Sequence, residues 1–416
     1  MYFDGIRRTM DRICICFLEI IKKFFAGEPY VPNERLQLKQ WEQILLLAQA
    51  HQVLPMVVNA CYQTPGLVGT PLLASARVSV RQQVFVQARK TAEFLVLYRK
   101  LRQAGAAPLV VKGIICRNLY PQPDYRTSSD EDVLIQPEQF DLCHEVMTAF
   151  GMETAEDLAR FEKMYEIPYG KKGSPLYIEL HKSLFSEESE AYGELNSYFE
   201  HAHEAAVEET VEGETILTMA PTDHLFYLIC HSFKHFLHGG FGIRQVCDIA
   251  LFARHYGEQI CWERVLENCR KIRAEKFAEA LFAIGKQHLG LEPELPEFWA
   301  MDVDERPMLD DLLSSGIYGK TSPERQHSAN MTLNAVARRK QGKDEGSGVL
   351  KSLFPGAVAL ESRYPYLKKY PALLPVAWVS RIFRFAAKGG SDGAKKTIQL
   401  GNERVELLRQ YGILDE

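Results

Sequence analysis

Two aspartates, two positions apart at the start of an apolar segment, are the residues of this chain best suited to chemistry. The segment 125–135 reads YRTSSDEDVLI. Side chains two apart on a β-strand point to the same face, so Asp130 and Asp132 can share a hard cation, whereas Glu131 points to the other face. This arrangement indicates metal-assisted phosphoryl or nucleotidyl transfer.

A third carboxylate is expected from the segment 176–181, which reads LYIELH. Its apolar residues alternate with polar ones, as in a half-buried strand, so Glu179 and His181 share the polar face. Three converging carboxylates repel one another at low dielectric, and a fold that gathers them needs a divalent cation or a bound lysine or arginine. Mg²⁺ or Mn²⁺ suits them, because both prefer oxygen ligands and leave positions open for substrate phosphates.

An aspartate pair alone is also common in acidic turns, so the pair needs support from the segments around it. A strand-like run ends in Lys112 and Gly113, and a short helix and a loop with Arg126 follow it. The aspartate strand comes next, before the strand that carries Glu179. Lys112 and Arg126 could neutralise phosphate charge, although such residues are equally often surface lysines or ion-pair partners.

A pair of histidines in the second half suggests a rival chemistry. His231 and His235 lie four apart on one helical face, and with Asp248 they could bind zinc or iron in a hydrolase. The glutamate of an H-E-x-x-H protease is absent, since Ser232 stands in its place. Histidines in this setting more often pack against aromatic residues or contact a substrate.

The elements that must position these residues mix helix and strand only in the middle of the chain. Helical spacing of apolar residues extends to about residue 105 and returns from Pro221 onward. Between them, strand-like runs at 108–112, 132–135, 165–169 and 176–181 accompany a helix over 138–151. The sequence thus predicts an α+β fold, in which a small α/β core with a mixed sheet is flanked by N-terminal and C-terminal helical regions. The predicted units are an N-terminal helical region at 1–105, the core at 106–220, a helical domain at 221–321, a polar connection at 322–348 and a C-terminal helical segment at 349–416.

Composition and charge limit the possible classes of function. The 416 residues are 46% hydrophobic, and 49 lysines and arginines against 54 acidic residues give a charge of -5. This balance provides no general electrostatic surface for wrapping a nucleic-acid duplex. Nine scattered cysteines without a C-x-x-C pair are typical of reduced cytosolic thiols. The apolar run at 13–18 is interrupted by charges before the roughly 20 residues of a membrane span, so we expect a cytoplasmic protein.

Taken together, these segments resemble the nucleotidyltransferase superfamily that shares the DNA polymerase β palm, and more closely a poorly characterised bacterial branch of it. The resemblance covers most of the chain. The matching segments are VVKG at 110–113, LYP at 119–121, Arg126, SDEDVLI at 129–135, ELH at 179–181, the stretch from His231 and His235 through Arg244 to Asp248, RYP at 363–365 and LPVAW at 374–378.

The resemblance implies transfer of a nucleoside monophosphate from a nucleoside triphosphate to an acceptor hydroxyl, with release of pyrophosphate. Asp130 and Asp132 would hold the metal ions, and Glu179 would be a third ligand or the base that activates the acceptor. Gly113 would mark the turn before a helix whose N-terminal amides face the triphosphate. The other residues implied are Lys112, Arg126 and Ser129 on the nucleotide, and His181, His231, His235 and Arg244 on the substrate side.

Two departures from the superfamily pattern leave a further hypothesis open. The turn carries Gly113-Ile114 where Gly-Ser or Gly-Gly is usual, and Glu131 replaces an apolar residue between the aspartates. Glu131 must reach solvent or pair with a cation, because an unpaired buried carboxylate costs several kcal/mol. The chain could therefore be a non-catalytic module that binds a nucleotide or a protein on the same fold. If it is a transferase, the acceptor could be a small molecule, a protein or an RNA end.

Overall fold

The structure, a computed structural model, describes residues 12–156, 158, 164–299, 302–316, 323–342, 360 and 364–415. Within them the fold is α+β, as predicted, with one five-stranded mixed sheet and one two-stranded sheet. Helices precede and follow these sheets along the chain. One continuous hydrophobic core runs from the first helix to the last. The predicted domain boundaries stay a prediction.

From Arg12, where the described residues begin, the N-terminal region is helical, which confirms the pattern of apolar residues up to about residue 105. Its helices are α1 (Arg12–Ala26), α2 (Leu38–Ala50), α3 (Leu54–Cys61) and α4 (Pro71–Gln103). Thr70 caps α4 by accepting a hydrogen bond from the Leu73 amide, and a proline follows it in the first turn. The inner face of α4 buries Gln87 and Lys90, and both side chains reach the loop before the aspartate strand.

The central sheet brings the aspartate strand next to the strand of Glu179. Its strands, with the two helices between them, are β1 (Leu109–Val110), α5 (Gly113–Arg117), β2 (Glu131–Leu134), α6 (Phe140–Ala149), β3 (Met152–Glu153), β4 (Glu166–Lys171) and β5 (Tyr177–His181). The order is β1-β2-β5-β4-β3, and only β2 and β5 pair in parallel. Their register sets Asp132 opposite Glu179, so both side chains point to the same face.

The four predicted strands are confirmed with small shifts of their ends, but three strands are new. β3 has two residues, too few for a recognisable alternation. The other two form a hairpin of β6 (Val207–Val211) and β7 (Glu214–Thr218). Glutamates crowd this segment, and Glu212 and Gly213 make its turn with positive φ angles. Its high charge hid the strand pattern.

The second half is helical in its described residues, as predicted. Its helices are α7 (Pro221–His238), α8 (Ile243–Tyr256), α9 (Trp262–Lys271), α10 (Glu275–Leu289), α11 (Arg306–Ser315), α12 (Pro323–Lys340) and α13 (Leu374–Gln410). Helix α12 corrects the expectation of an exposed polar connection over 322–348, although residues 322 and 343–348 lie outside the described part. Its polar residues Ser328 and Thr332 are buried because they bond to backbone carbonyls, so polar composition did not mean exposure. Arg363, which belongs to the matching segment 363–365, also lies outside the described residues.

The C-terminal helices hold the end of α7. The last carbonyls of a helix have no partner within it and carry partial negative charge. Here Phe236, Leu237 and Gly239 accept hydrogen bonds from the side chains of Arg404, Thr332 and Arg325. Residues far along the chain therefore fix the position of α7.

The apolar segment near the N-terminus belongs to an ordinary packed helix. Phe17, Ile20 and Ile21 of α1 are fully buried in the core. Across the described stretches of chain, no helix has both the length and the apolar character that crossing a membrane requires.

Candidate active site

A cavity of about 330 Å³ lies between the sheet and helix α7. Its acidic lining residues are Asp130, Asp132, Glu166 and Glu179. Its basic or imidazole residues are Lys112, His181, His231, Lys234 and His235, and the remaining lining residues are Ser129, Tyr165, Leu184 and Tyr227. The cavity thus gathers all three carboxylates predicted from the sequence and sets cations beside them.

Three side chains in the cavity have the spacing of metal ligands. One atom each of Asp132, Glu179 and His181 lies within 4.8 Å of the other two, and the described residues contain no other cluster of this kind. Asp130 lines the same cavity one residue before β2. His181, expected on the substrate side, therefore joins the carboxylate cluster.

Asp132 is buried and carries charge. Its Oδ2 lies 2.6 Å from Lys112 Nζ, and its Oδ1 lies 3.3 Å from His181 Nε2. Burial acts to raise the pKa of Asp132, but Lys112 and His181 outweigh it and hold the pKa well below its usual value. Burial likewise acts to lower the pKa of Lys112, and the carboxylates of Asp132 and Asp130 keep it well above its usual value. Lys112 is the cation that the converging carboxylates require.

Two buried atoms in this cluster lack hydrogen-bond partners. Asp132 Oδ2 accepts no hydrogen bond despite the close Lys112 ammonium, and His181 Nδ1 has no hydrogen-bond partner among the described residues. Buried polar atoms of this kind are rare in folded proteins and need an explanation. A donor set of two carboxylates and one imidazole fits a divalent metal ion.

Glu179 differs from Asp132 in its protonation. Burial, together with the carboxylates of Asp132 and Asp130, raises the pKa of Glu179 to about 7. Its side chain keeps 28% of its surface exposed toward the cavity. A carboxylate with such a pKa can accept or release a proton near neutral pH.

Helix α7 supplies the other wall through residues on one face. His231 Nε2 lies 3.2 Å from Lys112 Nζ, and since an ammonium can only donate, this nitrogen accepts and the imidazole is neutral. Burial and the neighbouring Lys112 hold the pKa of His231 well below its usual value. The rings of His231 and His235 are 4.5 Å apart. Lys234, between them in sequence, also lines the cavity.

Sequence reasoning missed several lining residues. Lys234 could have been found from its place beside His231 and His235 on the same helix. Glu166 pairs in register with His181, a relation that only the strand order reveals. Tyr165, Leu184 and Tyr227 carry no distinctive sequence signal.

The Gly113 turn does not line the cavity. Glu131 reaches this turn from the face of β2 that is opposite the cavity. Its Oε2 accepts a hydrogen bond from the Ile114 amide at 2.9 Å. Gly113 has a φ of +30°, and a Cβ atom there would lie 1.8 Å from that oxygen. Lys90 Nζ lies 3.2 Å from Glu131 Oε1. Glu131 therefore pairs with a buried cation, and the expectation that Gly113 faces a triphosphate is not supported by this geometry.

Arg126 and Arg244 are also absent from the cavity lining. Arg126 is buried, with its Nε and Nη2 atoms 2.7 and 2.8 Å from the two carboxylate oxygens of Asp248. Arg244 donates to the Gln52 side chain and to the Thr127 carbonyl. Both arginines thus anchor the loop before β2. Because Asp248 is committed to Arg126, it does not join His231 and His235, and the hydrolase hypothesis loses its third ligand.

Comparison with known proteins agrees with this picture. A family model described as "Uncharacterised nucleotidyltransferase" matches residues 37–290, more than half of the chain. The chain belongs to this family of nucleotidyltransferases, which confirms the resemblance at the family level. The match covers helices α2 to α10 in full and includes every residue that lines the cavity. Curated proteins and solved structures give no match.

Proposed function

We propose that the protein is a metal-dependent nucleotidyltransferase that moves a nucleoside monophosphate from a nucleoside triphosphate to an acceptor hydroxyl. The observation that supports this most is the meeting of Asp132, Glu179 and His181 within 4.8 Å, beside Asp130, in a chain of a nucleotidyltransferase family. The acceptor is a hydroxyl of a small molecule, a protein or an RNA end.

Asp132 and His181, with Asp130 next to them, would hold a divalent ion, Mg²⁺ or Mn²⁺. Such an ion supplies stabilisation of the negative charge that develops on the phosphate oxygens. Lys112, 2.6 Å from Asp132, keeps that carboxylate ionised and can neutralise phosphate charge on the same side of the cavity.

Glu179 would accept the proton of the acceptor hydroxyl. A pKa of about 7 suits this role, because a general base works best when its pKa lies near the working pH. As the proton moves to Glu179, the acceptor oxygen bonds to the α-phosphorus and the bond to the bridging oxygen breaks. Pyrophosphate leaves with that oxygen. Glu179 as a metal ligand rather than a base is the alternative role.

The test is transfer from labelled triphosphates. Purified protein would be incubated with each of the four α-labelled nucleoside triphosphates, with Mg²⁺ and with Mn²⁺, and pyrophosphate release and self-labelling measured. We expect release with at least one nucleotide, and a loss on the order of 10³-fold or more in Asp132→Asn, the scale seen when one member of a catalytic unit is removed.

The matched control is Glu153→Gln, a neutralised carboxylate on the exposed edge strand β3 of the same sheet, which should keep full activity. Transfer that survives Asp132→Asn would contradict the proposal.

A second candidate, a module that binds triphosphates without turnover, is favoured by Glu131 filling the Gly113 turn. Binding with Mg²⁺, seen as a rise in melting temperature, without pyrophosphate release from any of the four nucleotides would support it.

A further inference from the structure

The place where the family resemblance puts the triphosphate is closed in this chain by its own carboxylate. Glu131 Oε2 accepts the hydrogen bond of the Ile114 amide at 2.9 Å and lies where a Cβ of Gly113 would be. Both Glu131 and its partner Lys90 are buried, with side chains 2% exposed. A triphosphate brought to this turn would find the Ile114 amide already bonded and the space beside Gly113 already filled by the Glu131 carboxylate. The phosphates need another partner.

Helix α7 offers such a partner for the phosphates. Lys234 is partly buried and lines the cavity, and no carboxylate among the described residues forms an ion pair with it. Burial and the ammonium of Lys112 lower the pKa of Lys234, and the carboxylates of Glu166, Asp132 and Glu179 offset only part of this lowering. Lys112, in contrast, already pairs with Asp132 at 2.6 Å. Lys234 is therefore the cation of the cavity that an incoming anion would satisfy.

We infer that Lys234 binds the phosphates that leave as pyrophosphate, in place of the Gly113 turn. This inference rests on the proposed function and adds the residue that recognises the triphosphate. It also gives the two walls of the cavity different roles, since the sheet wall carries the carboxylates and the base, and the α7 wall carries the ammonium of Lys234. In-line displacement needs the entering and leaving oxygens held separately, which two different walls provide.

The test uses inorganic tripolyphosphate, the part common to all four nucleotides, titrated by calorimetry into the full-length protein with Mg²⁺. Lys234→Gln should weaken binding about tenfold or more, the loss that one charge-assisted hydrogen bond represents. Lys234→Arg, which keeps the charge, should stay within about threefold of the unchanged protein. Lys39→Gln, an exposed lysine of α2, is the control and should bind as the unchanged protein does.

Folding is checked separately. Removing an ammonium without a close counter-charge should not lower the melting temperature, so a folded Lys234→Gln protein with weak binding supports the inference. The same variant should raise KM for the nucleoside triphosphate.

Equal tripolyphosphate affinity in Lys234→Gln and the unchanged protein overturns the inference and leaves the transferase proposal standing. If the unchanged protein binds neither tripolyphosphate nor any of the four nucleotides, both the inference and the proposed function fall.

Discussion

Strand β2 carries two lysine–carboxylate pairs, one on each face, and they differ in what surrounds them. On the inner face Glu131 pairs with Lys90 at 3.2 Å, and each of its oxygens also accepts a hydrogen bond, one from the Ser128 hydroxyl and one from the Ile114 amide. On the cavity face Asp132 pairs with Lys112 at 2.6 Å, yet its Oδ2 accepts no hydrogen bond.

The difference separates structure from chemistry on a single strand. A buried polar network whose members are all bonded fixes the local fold, whereas a carboxylate that lines a cavity among other ionisable groups is placed to meet a ligand. The alternation of side chains along β2 is what keeps the two environments apart. The inner pair should therefore control stability and the cavity pair should control transfer.

The largest effect on stability is expected from Lys90→Met, which leaves Glu131 buried without its counter-charge. Removing one partner of a buried ion pair costs about 3–5 kcal/mol of unfolding free energy. Lys90 also donates to the Ser128 carbonyl at 2.9 Å, so the loop before Asp130 would loosen. Urea denaturation followed by circular dichroism measures the change.

The double variant Lys90→Met/Glu131→Gln tests the cause. The double variant should regain much of the unfolding free energy that Lys90→Met loses, because no uncompensated charge stays buried. If the losses of unfolding free energy in Lys90→Met and Glu131→Gln simply add in the double variant, Lys90 and Glu131 are not a coupled pair. The contrast between the faces of β2 then fails.

A smaller effect is expected from Gly113→Ala. The new Cβ would lie 1.8 Å from Glu131 Oε2 in a residue with a φ of +30°, so the carboxylate must leave the Ile114 amide. Overpacking and backbone strain together predict a loss of roughly 2–3 kcal/mol. Gly27→Ala is the matched control, since its φ is +69° and its Cβ would have no atom within 4 Å. Equal losses of unfolding free energy in the two variants would mean that the Glu131 carboxylate moves away without destabilising the protein.

The assignment of side chains to the two faces of β2 could be predicted from the sequence. The period of two in β2 assigns Asp130 and Asp132 to one face and Glu131 to the other, and the alternation in β5 assigns Glu179 and His181. These local rules hold because side-chain direction along a strand depends on its backbone alone.

The partners could not be predicted, since they come from distant parts of the chain. Lys90 lies 41 positions from Glu131 on α4, and Lys234 reaches the cavity only through the packing of α7. Arg126 looked like a phosphate ligand, but Asp248, 122 residues away, binds it. Sequence spacing says which groups are charged, while tertiary packing decides which of them are already paired.

The smallest expected effect concerns pH, and it should separate the stability of the metal-free protein from its activity. Because the pKa of Glu179 is raised from 4.5 to about 7, the folded protein binds more protons than the unfolded chain between these values. Its unfolding free energy therefore falls as pH rises through this window, by on the order of 1–2 kcal/mol once solvent screening of a partly exposed group is allowed for. Transfer should also rise with pH, since the base must be deprotonated, and the charge of the bound metal ion should move this rise to lower pH. Denaturation in a chelator and initial rates at pH 5.5–8 measure both trends, and Glu179→Gln should flatten the stability trend. Stability and transfer that rise together would show that Glu179 ionises at a lower pH, and would remove it as the base.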